Sequence, residues 1–71
     1  MSVEVLNRLL TLSKDPVPDV RAAAAYALGE ARTQTPEILD CLITLSRDPS
    51  PVVKVAATKA LGRIYRPIPK I

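Results

Sequence analysis

The feature that most constrains this chain is that it repeats itself. The stretch LTLSKDPVPDVRAAAAYALG, residues 10–29, returns 33 positions later as ITLSRDPSPVVKVAATKALG, residues 43–62. Between residues 4 and 29, 15 of the 26 pairs at this offset are identical. Self-similarity at a fixed period of about 20 to 50 residues is typical of architectures in which each unit packs only against its neighbours. The sequence therefore predicts two copies of one structural unit.

Each copy is predicted to contain two helices. In the first copy the apolar residues have helical spacing over residues 3–13 and again over residues 20–31. The intervening KDPVP cannot be helical, because Asp15 and Val17 each precede a proline and are driven toward extended conformations. In the second copy, Thr35 and Ser50 precede Pro36 and Pro51 and are expected to cap the two helices with their hydroxyl groups.

These elements predict an all-α fold, a two-repeat α-solenoid fragment of four antiparallel helices in two stacked helical hairpins. A chain of 71 residues is long enough for one domain only, which we assign to residues 1–71. The repeats are expected over residues 3–32 and 36–65, and an extended tail over residues 66–71. The chain has no Phe or Trp, so its core must be built from aliphatic residues and many closely packed alanines.

The segments DPVPDVRAAAAYALGEA and DPSPVVKVAATKALGRI resemble the HEAT repeat in its short bacterial and archaeal form, the phycobilisome-lyase-type HEAT-like repeat. The resemblance covers about residues 3–65. It implies that the aspartate in each turn and the basic residue early in each second helix interact along the stack. The expected structural ladder consists of Asp15, Arg21, Asp48 and Lys54. Because lysine lacks the planar fork of arginine, we expect this ladder to be weaker in the second repeat.

Catalysis is not predicted. The chain has no histidine, no cluster of metal ligands and no glycine-rich phosphate loop, and its only cysteine, Cys41, has no visible base to activate it. We therefore expect no catalytic residues, no metal and no cofactor. The chain also has no apolar run of about 18 residues, and charged residues interrupt the apolar pattern at its N-terminus. A cytoplasmic protein is the expectation.

The function that the resemblance implies is a non-catalytic protein-protein interaction or scaffold module. With Val20, Ala24 and Ala27 placed inward, steps of 100° per residue put another side of the second helix outward. Tyr26 is the preferred anchor, because tyrosine is enriched among the residues that dominate binding energy. The predicted partner-binding face consists of Ala22, Ala25, Tyr26, Val55, Thr58, Lys59 and Arg63.

Two alternatives remain open. The net charge of +3 lies wholly in residues 34–71, which carry six basic and three acidic side chains, so a basic face could bind a nucleic-acid backbone. Cations near a helix C-terminus are also favoured by the helix dipole, without any ligand. The second alternative, an accessory subunit of a phycobilin-lyase-like enzyme, follows from the resemblance.

Self-association is also expected, because two repeats fall short of the roughly three that a solenoid normally needs. Pro69 and Ile71 stand where Pro36 and Ile38 stand in the second repeat, so either the chain is a piece of a longer array or self-association, most simply as a homodimer, replaces the missing repeats. A two-fold dimer would pair the last helices. Its predicted contact residues are Val52, Val55, Ile64, Ile68 and Ile71. A head-to-tail arrangement is the competing possibility.

Overall fold

The computed structural model describes residues 2–65, which form four helices and no strand. The helices are α1 (Val3–Leu12), α2 (Pro18–Ala31), α3 (Pro36–Leu45) and α4 (Pro51–Ile64). Helix α1 packs on α2 and α3 packs on α4, while α2 and α4 lie side by side and join the two hairpins. The prediction of an all-α, two-repeat solenoid fragment is confirmed. The predicted tail, residues 66–71, lies outside the described residues.

The helix starts follow from the prolines and from short polar residues before them. Three helices begin at a proline, which needs no hydrogen-bond partner for its nitrogen at this position. Thr35 caps α3 as predicted, and its hydroxyl accepts a hydrogen bond from the Ile38 amide at 3.4 Å. The expectation for Ser50 is wrong, because its side chain makes no capping bond to α4. Its amide instead donates to a carboxylate oxygen of Asp48 at 2.9 Å, so this aspartate organises the turn.

The core lies between the two repeats. The largest fully buried side chains are Leu28, Ile38, Leu42 and Val53, and all four belong to the helices that meet across the repeat boundary. Burying each of these aliphatic side chains contributes about 1.5–3 kcal/mol. Helix α1, by contrast, contributes no fully buried residue. The stability of the fold therefore depends on contact between the repeats more than on either hairpin alone.

Gly29 allows α2 and α4 to approach closely. A Cβ atom at this position would lie 2.6 Å from both the Cα and the Cβ atom of Ala60, nearer than real Cβ atoms come. Helix α2 does not end at this glycine but continues to Ala31, and Arg32 then takes a left-handed conformation with φ of 55°. The glycine is therefore required by packing between the repeats.

Candidate interaction surface

The predicted ladder residues lie along the turns between the helices of each hairpin. Arg21 of the first repeat reaches across to Asp48 of the second, with Nε 2.9 Å from Oδ2 and Nη2 3.1 Å from Oδ1. The same guanidinium donates through Nη1 to the carbonyl oxygens of Asp15 at 2.7 Å and Pro16 at 3.1 Å. A two-pronged pair of this kind is stronger and more directional than a single charged contact. Arg21 thus ties its own turn to the turn of the next repeat.

The two turn aspartates have similar local roles and different charged neighbours. Asp15 accepts a hydrogen bond from the Val17 amide at 2.9 Å, as Asp48 does from the Ser50 amide. The hydrogen bonds from Arg21 first, and then from the Ser50 amide, lower the pKa of Asp48 below its ordinary value. The charges of Arg21 and Lys54 act in the same direction, and partial burial opposes them.

Lys54 is the counterpart of Arg21 in the second repeat, and its side chain is exposed. Within residues 2–65 it forms no salt bridge and its side chain makes no hydrogen bond, so only the first rung of the predicted ladder connects two repeats. The reason is geometric. Arg21 bonds to the aspartate one repeat further along, and the described part of the chain contains no third turn for Lys54 to reach.

The prediction of the partner-binding face is wrong for two of its residues, which are buried. Ala25 is fully buried, and Ala22 is 9% exposed. Both lie on the side of α2 that belongs to the core shared with α4, where Gly29 lets the helices approach. Their counterparts 33 positions later, Val55 and Thr58, are exposed. The predicted face is therefore a stacking surface in the first repeat and an uncovered surface in the second.

One residue of the predicted dimer contact is also misplaced. Ile64 is only 6% exposed and belongs to the core between the repeats, because it ends the side of α4 that faces α2. Val52 and Val55 are exposed, at 47% and 52%. Ile68 and Ile71 lie outside the described residues. The structure therefore leaves two of the five predicted dimer residues on the described surface.

The remaining predicted residues include one group that the structure brings together. The Arg63 guanidinium lies over the ring of Tyr26, with its Cζ atom 5.3 Å from the ring centroid. The same guanidinium forms a salt bridge to Glu30 at 2.6 Å. Tyr26 is half exposed, and Arg63 and Glu30 are partly exposed, so the group lies at the surface where α2 and α4 run side by side.

Glu30 was missed by the sequence analysis, although a signal was present. It lies four residues after Tyr26 and so on the same side of α2. It also occupies the repeat position of Arg63, with the opposite charge. Lys59, one turn before Arg63, is exposed on α4. We call the surface formed by Tyr26, Glu30, Lys59 and Arg63 the α2–α4 surface.

A concave region lies between α1 and α3. It has a volume of about 370 Å³ and is lined by residues that include Leu10, Lys14, Asp40 and Cys41. The Cys41 thiol donates a hydrogen bond to the Ser13 hydroxyl at 3.2 Å, and that hydroxyl donates to the Leu10 carbonyl. No basic group is bonded to the sulfur in the described part of the chain. The contacts of Cys41 are therefore those of a packed residue.

Residues 2–65 contain no group of three or more His, Cys, Asp or Glu side chains that could hold a metal ion. None of the four helices has the length and apolar character needed to cross a bilayer.

Comparison with known proteins gives one finding. A family model described as HEAT repeats matches residues 4–70, most of the chain. The match is to HEAT repeats in general and does not extend to the phycobilisome-lyase type. Neither curated proteins nor solved structures give a match.

Proposed function

Because the chain belongs to the HEAT repeat family, we propose that it is a non-catalytic module that binds a protein partner on the α2–α4 surface. HEAT repeats generally serve as protein-interaction scaffolds, and the family is typically non-catalytic. The observation that carries the proposal is the Tyr26, Glu30 and Arg63 group, because it connects the two repeats at one exposed point.

The chemistry of this surface suits a protein partner with an apolar side chain next to an acidic group. The exposed part of the Tyr26 ring offers a flat apolar contact, and the salt bridge and the stacking contact limit the freedom of the Arg63 side chain. A side chain ordered before binding loses less entropy when a partner arrives. Lys59 supplies a positive charge without an ion pair within residues 2–65, which favours a carboxylate on the partner.

Nucleic acid is a weaker candidate for the same surface. Arg63 already shares its charge with Glu30, and Lys59 is the only other basic residue of the α2–α4 surface. Arg66, which would extend the basic side of the last helix, lies outside the described residues. Binding to phosphates would fall with salt at a log-log slope of about 0.9 per contact on duplex DNA. Affinity for duplex DNA that is strong at low salt and follows this slope would favour the nucleic-acid alternative.

A pull-down from the native source tests the proposal. The Tyr26→Ala, Lys59→Glu double variant is expected to lose its main partner, because it removes the apolar contact and reverses the available charge. The matched control is Ile43→Ala, which removes an exposed apolar side chain from α3, outside the α2–α4 surface. The control should retain the partner at wild-type yield. Equal recovery by the double variant and the wild type would place the binding site elsewhere.

A further inference from the structure

Residues at equivalent positions of the two repeats differ in exposure, and the difference identifies two surfaces that residues 2–65 leave uncovered. Ala22, Ala25 and Gly29 of α2 are buried, whereas their equivalents on α4 are exposed. The exposed equivalents, Val55, Thr58 and Gly62, are called here the α4 end surface. It is the same side of the second helix that the first repeat uses to hold the second.

In the first repeat, the first helix is less buried than its equivalent in the second repeat. Ile38, Leu42 and Leu45 of α3 are 0%, 0% and 5% exposed. Their equivalents on α1 are Val5, which is 50% exposed, and the partly exposed Leu9 and Leu12; these three form the α1 end surface. Each hairpin packs its two helices in the same order, so the additional burial in the second repeat comes from its contact with the first. The α1 end surface is the side on which a preceding repeat would pack.

The close contact between Gly29 and Ala60 could be repeated between two copies of the chain, because equivalents of both residues are exposed or partly exposed. Gly29 lies against Ala60 so closely that a Cβ atom would approach to 2.6 Å. Gly62 is the equivalent of Gly29, and a Cβ atom there would meet none of the described residues within 4 Å. The equivalent of Ala60 is Ala27, which is again an alanine and is partly exposed. A second copy could therefore place its Ala27 against Gly62.

The charged contact between Arg21 and Asp48 could also be repeated between two copies of the chain. Arg21 is paired with Asp48 across the repeat boundary, at 2.9 Å. The equivalents of these two residues are Lys54 and Asp15, which carry opposite charges on opposite sides of the molecule. Docking one copy onto the next in the register of the internal repeats would bring Lys54 of one copy to Asp15 of the other.

We propose that the α4 end surface binds the α1 end surface of a second copy of this chain, head to tail. Shape and charge both favour this occupant, since Gly62 is matched by Ala27 and Lys54 by Asp15. The like-ended dimer pairs two last helices and so does not bring Lys54 to Asp15, and it uses Val52, whose equivalent Asp19 is exposed and is therefore not a stacking position. A head-to-tail contact leaves one end surface of each kind exposed at the ends of the assembly, so further copies add and a series of oligomers forms unless the rotation closes a ring.

The contact between copies is weaker than the contact inside the chain. Lysine makes one point contact where Arg21 makes a two-pronged pair. Val55 and Thr58 are also larger than Ala22 and Ala25, so at these two positions the helices of two copies fit less closely than α2 and α4 do, although Gly62 still admits Ala27. Association is therefore expected at high micromolar protein concentration and not at low concentration.

Sedimentation velocity at several concentrations tests the proposal. The average mass of the wild type is expected to rise above 7.7 kDa and to continue past twice that value. Gly62→Gln places a long side chain on the α4 end surface, and Val5→Glu places a charge on the α1 end surface. Each variant alone is expected to remain at 7.7 kDa. Both sites are exposed, so the circular dichroism spectrum should be unchanged in each variant.

Two control variants use exposed positions that are not stacking positions. Val3→Glu is matched to Val5→Glu, and the equivalent of Val3 is the exposed Pro36. Val52→Glu lies on α4 and tests the like-ended dimer directly. Both controls are expected to associate like the wild type. Loss of association in Val52→Glu together with its retention in Val5→Glu would overturn the proposal in favour of like-ended pairing.

A mixing experiment separates head-to-tail contact from other modes. An equimolar mixture of Gly62→Gln and Val5→Glu retains one intact surface of each kind, so it should form a heterodimer of twice 7.7 kDa and nothing larger. A mixture that remains at the mass of a single chain would overturn the proposal. So would a wild type that stays at 7.7 kDa at high micromolar concentration, and this result would leave the α4 end surface to a helical repeat of another protein. Tyr26→Ala lies outside both end surfaces, so this variant distinguishes failure here from failure of the proposed partner site.

Discussion

Gly29 and Gly62 occupy the same position in their repeats, but only Gly29 is held in place by a neighbour. Ala60 lies against Gly29, while none of residues 2–65 lies within 4 Å of the place that a Cβ atom of Gly62 would take. The same contrast separates Arg21 from Lys54 and Ala25 from Thr58. Nearly identical local sequences therefore contribute differently to the stability of the two repeats. The difference arises from neighbours in space, because a repeat in a stack is stabilised by the units on either side.

The largest expected effect on stability is that of substituting Leu28, compared with substituting its equivalent Leu61. Leu28 is fully buried, whereas its equivalent Leu61 is partly exposed and packs at the edge of the core. Leu28→Ala is expected to lower the free energy of unfolding by about 2–5 kcal/mol, because it leaves a cavity at the centre of a small core. Leu61→Ala should cost less than half as much. Urea denaturation measures both, and equal losses would contradict the proposed difference between the repeats.

The glycine pair is expected to give effects of opposite sign. Gly29→Ala should lower the free energy of unfolding by about 1–3 kcal/mol, because its methyl group would overlap Ala60. Gly62→Ala should raise it by about 0.5–1 kcal/mol, because alanine is the better helix former and meets no obstacle. Thermal melting at low protein concentration measures both without interference from association. A lower free energy of unfolding for Gly62→Ala than for the wild type would show that a neighbouring group already packs against Gly62.

The pairing of Asp48 predicts a dependence of stability on pH. Because its pKa is lowered in the folded protein, the stabilisation from this carboxylate is complete above the ordinary carboxyl pKa of about 4. It is lost as the pH falls through the lower pKa of the folded state. Asp48→Asn keeps an acceptor for the Ser50 amide and removes the charge. The wild type should therefore lose its advantage over Asp48→Asn in acid, as measured by melting temperature from neutral pH downward.

Asp15→Asn is the matched control for this experiment. It removes the charge from the equivalent turn and keeps an acceptor for the Val17 amide, but it leaves the Arg21 and Asp48 pair intact. Its melting temperature should stay close to that of the wild type at neutral pH, and it should fall in acid as the wild type does. A larger loss at Asp15 than at Asp48 would mean that the charged contact between the turns contributes little.

The smallest expected effect is the coupling between Tyr26 and Arg63. A cation near an exposed aromatic ring contributes about 0.5–1 kcal/mol, and both side chains here are partly exposed. A double-mutant cycle with Tyr26→Phe and Arg63→Gln should give a small coupling, since phenylalanine preserves most of the ring. The cycle with Tyr26→Ala should give about 0.5 kcal/mol. Equal coupling energies in the two cycles would assign the contact to something other than the ring.

The sequence was sufficient to predict the four helices, but it was insufficient to predict which side of α2 is buried. Prolines and helical spacing predicted all four helices, and the bounds of α1 differ from the prediction by one residue. Residues 22–25 are four alanines, however, so over this turn of α2 no contrast between apolar and polar residues tells one side from another. Ala22 and Ala25 were expected to face a partner and instead face the other repeat. Only the position of α4 decides this, because small side chains pack wherever a neighbour approaches.

By itself, the sequence determined that two equivalent helical hairpins form, because the repeat, the prolines and the helical spacing are local properties of the chain. The tertiary structure decided which of two equivalent residues makes a contact with the other repeat. Arg21 finds an aspartate one repeat further along, and Lys54 finds none within the described residues. Gly29 meets Ala60, and Gly62 meets no neighbour in the part of the chain that the structure describes. Equivalent residues differ because stacking is directional: each repeat presents one side to the unit before it and another side to the unit after it.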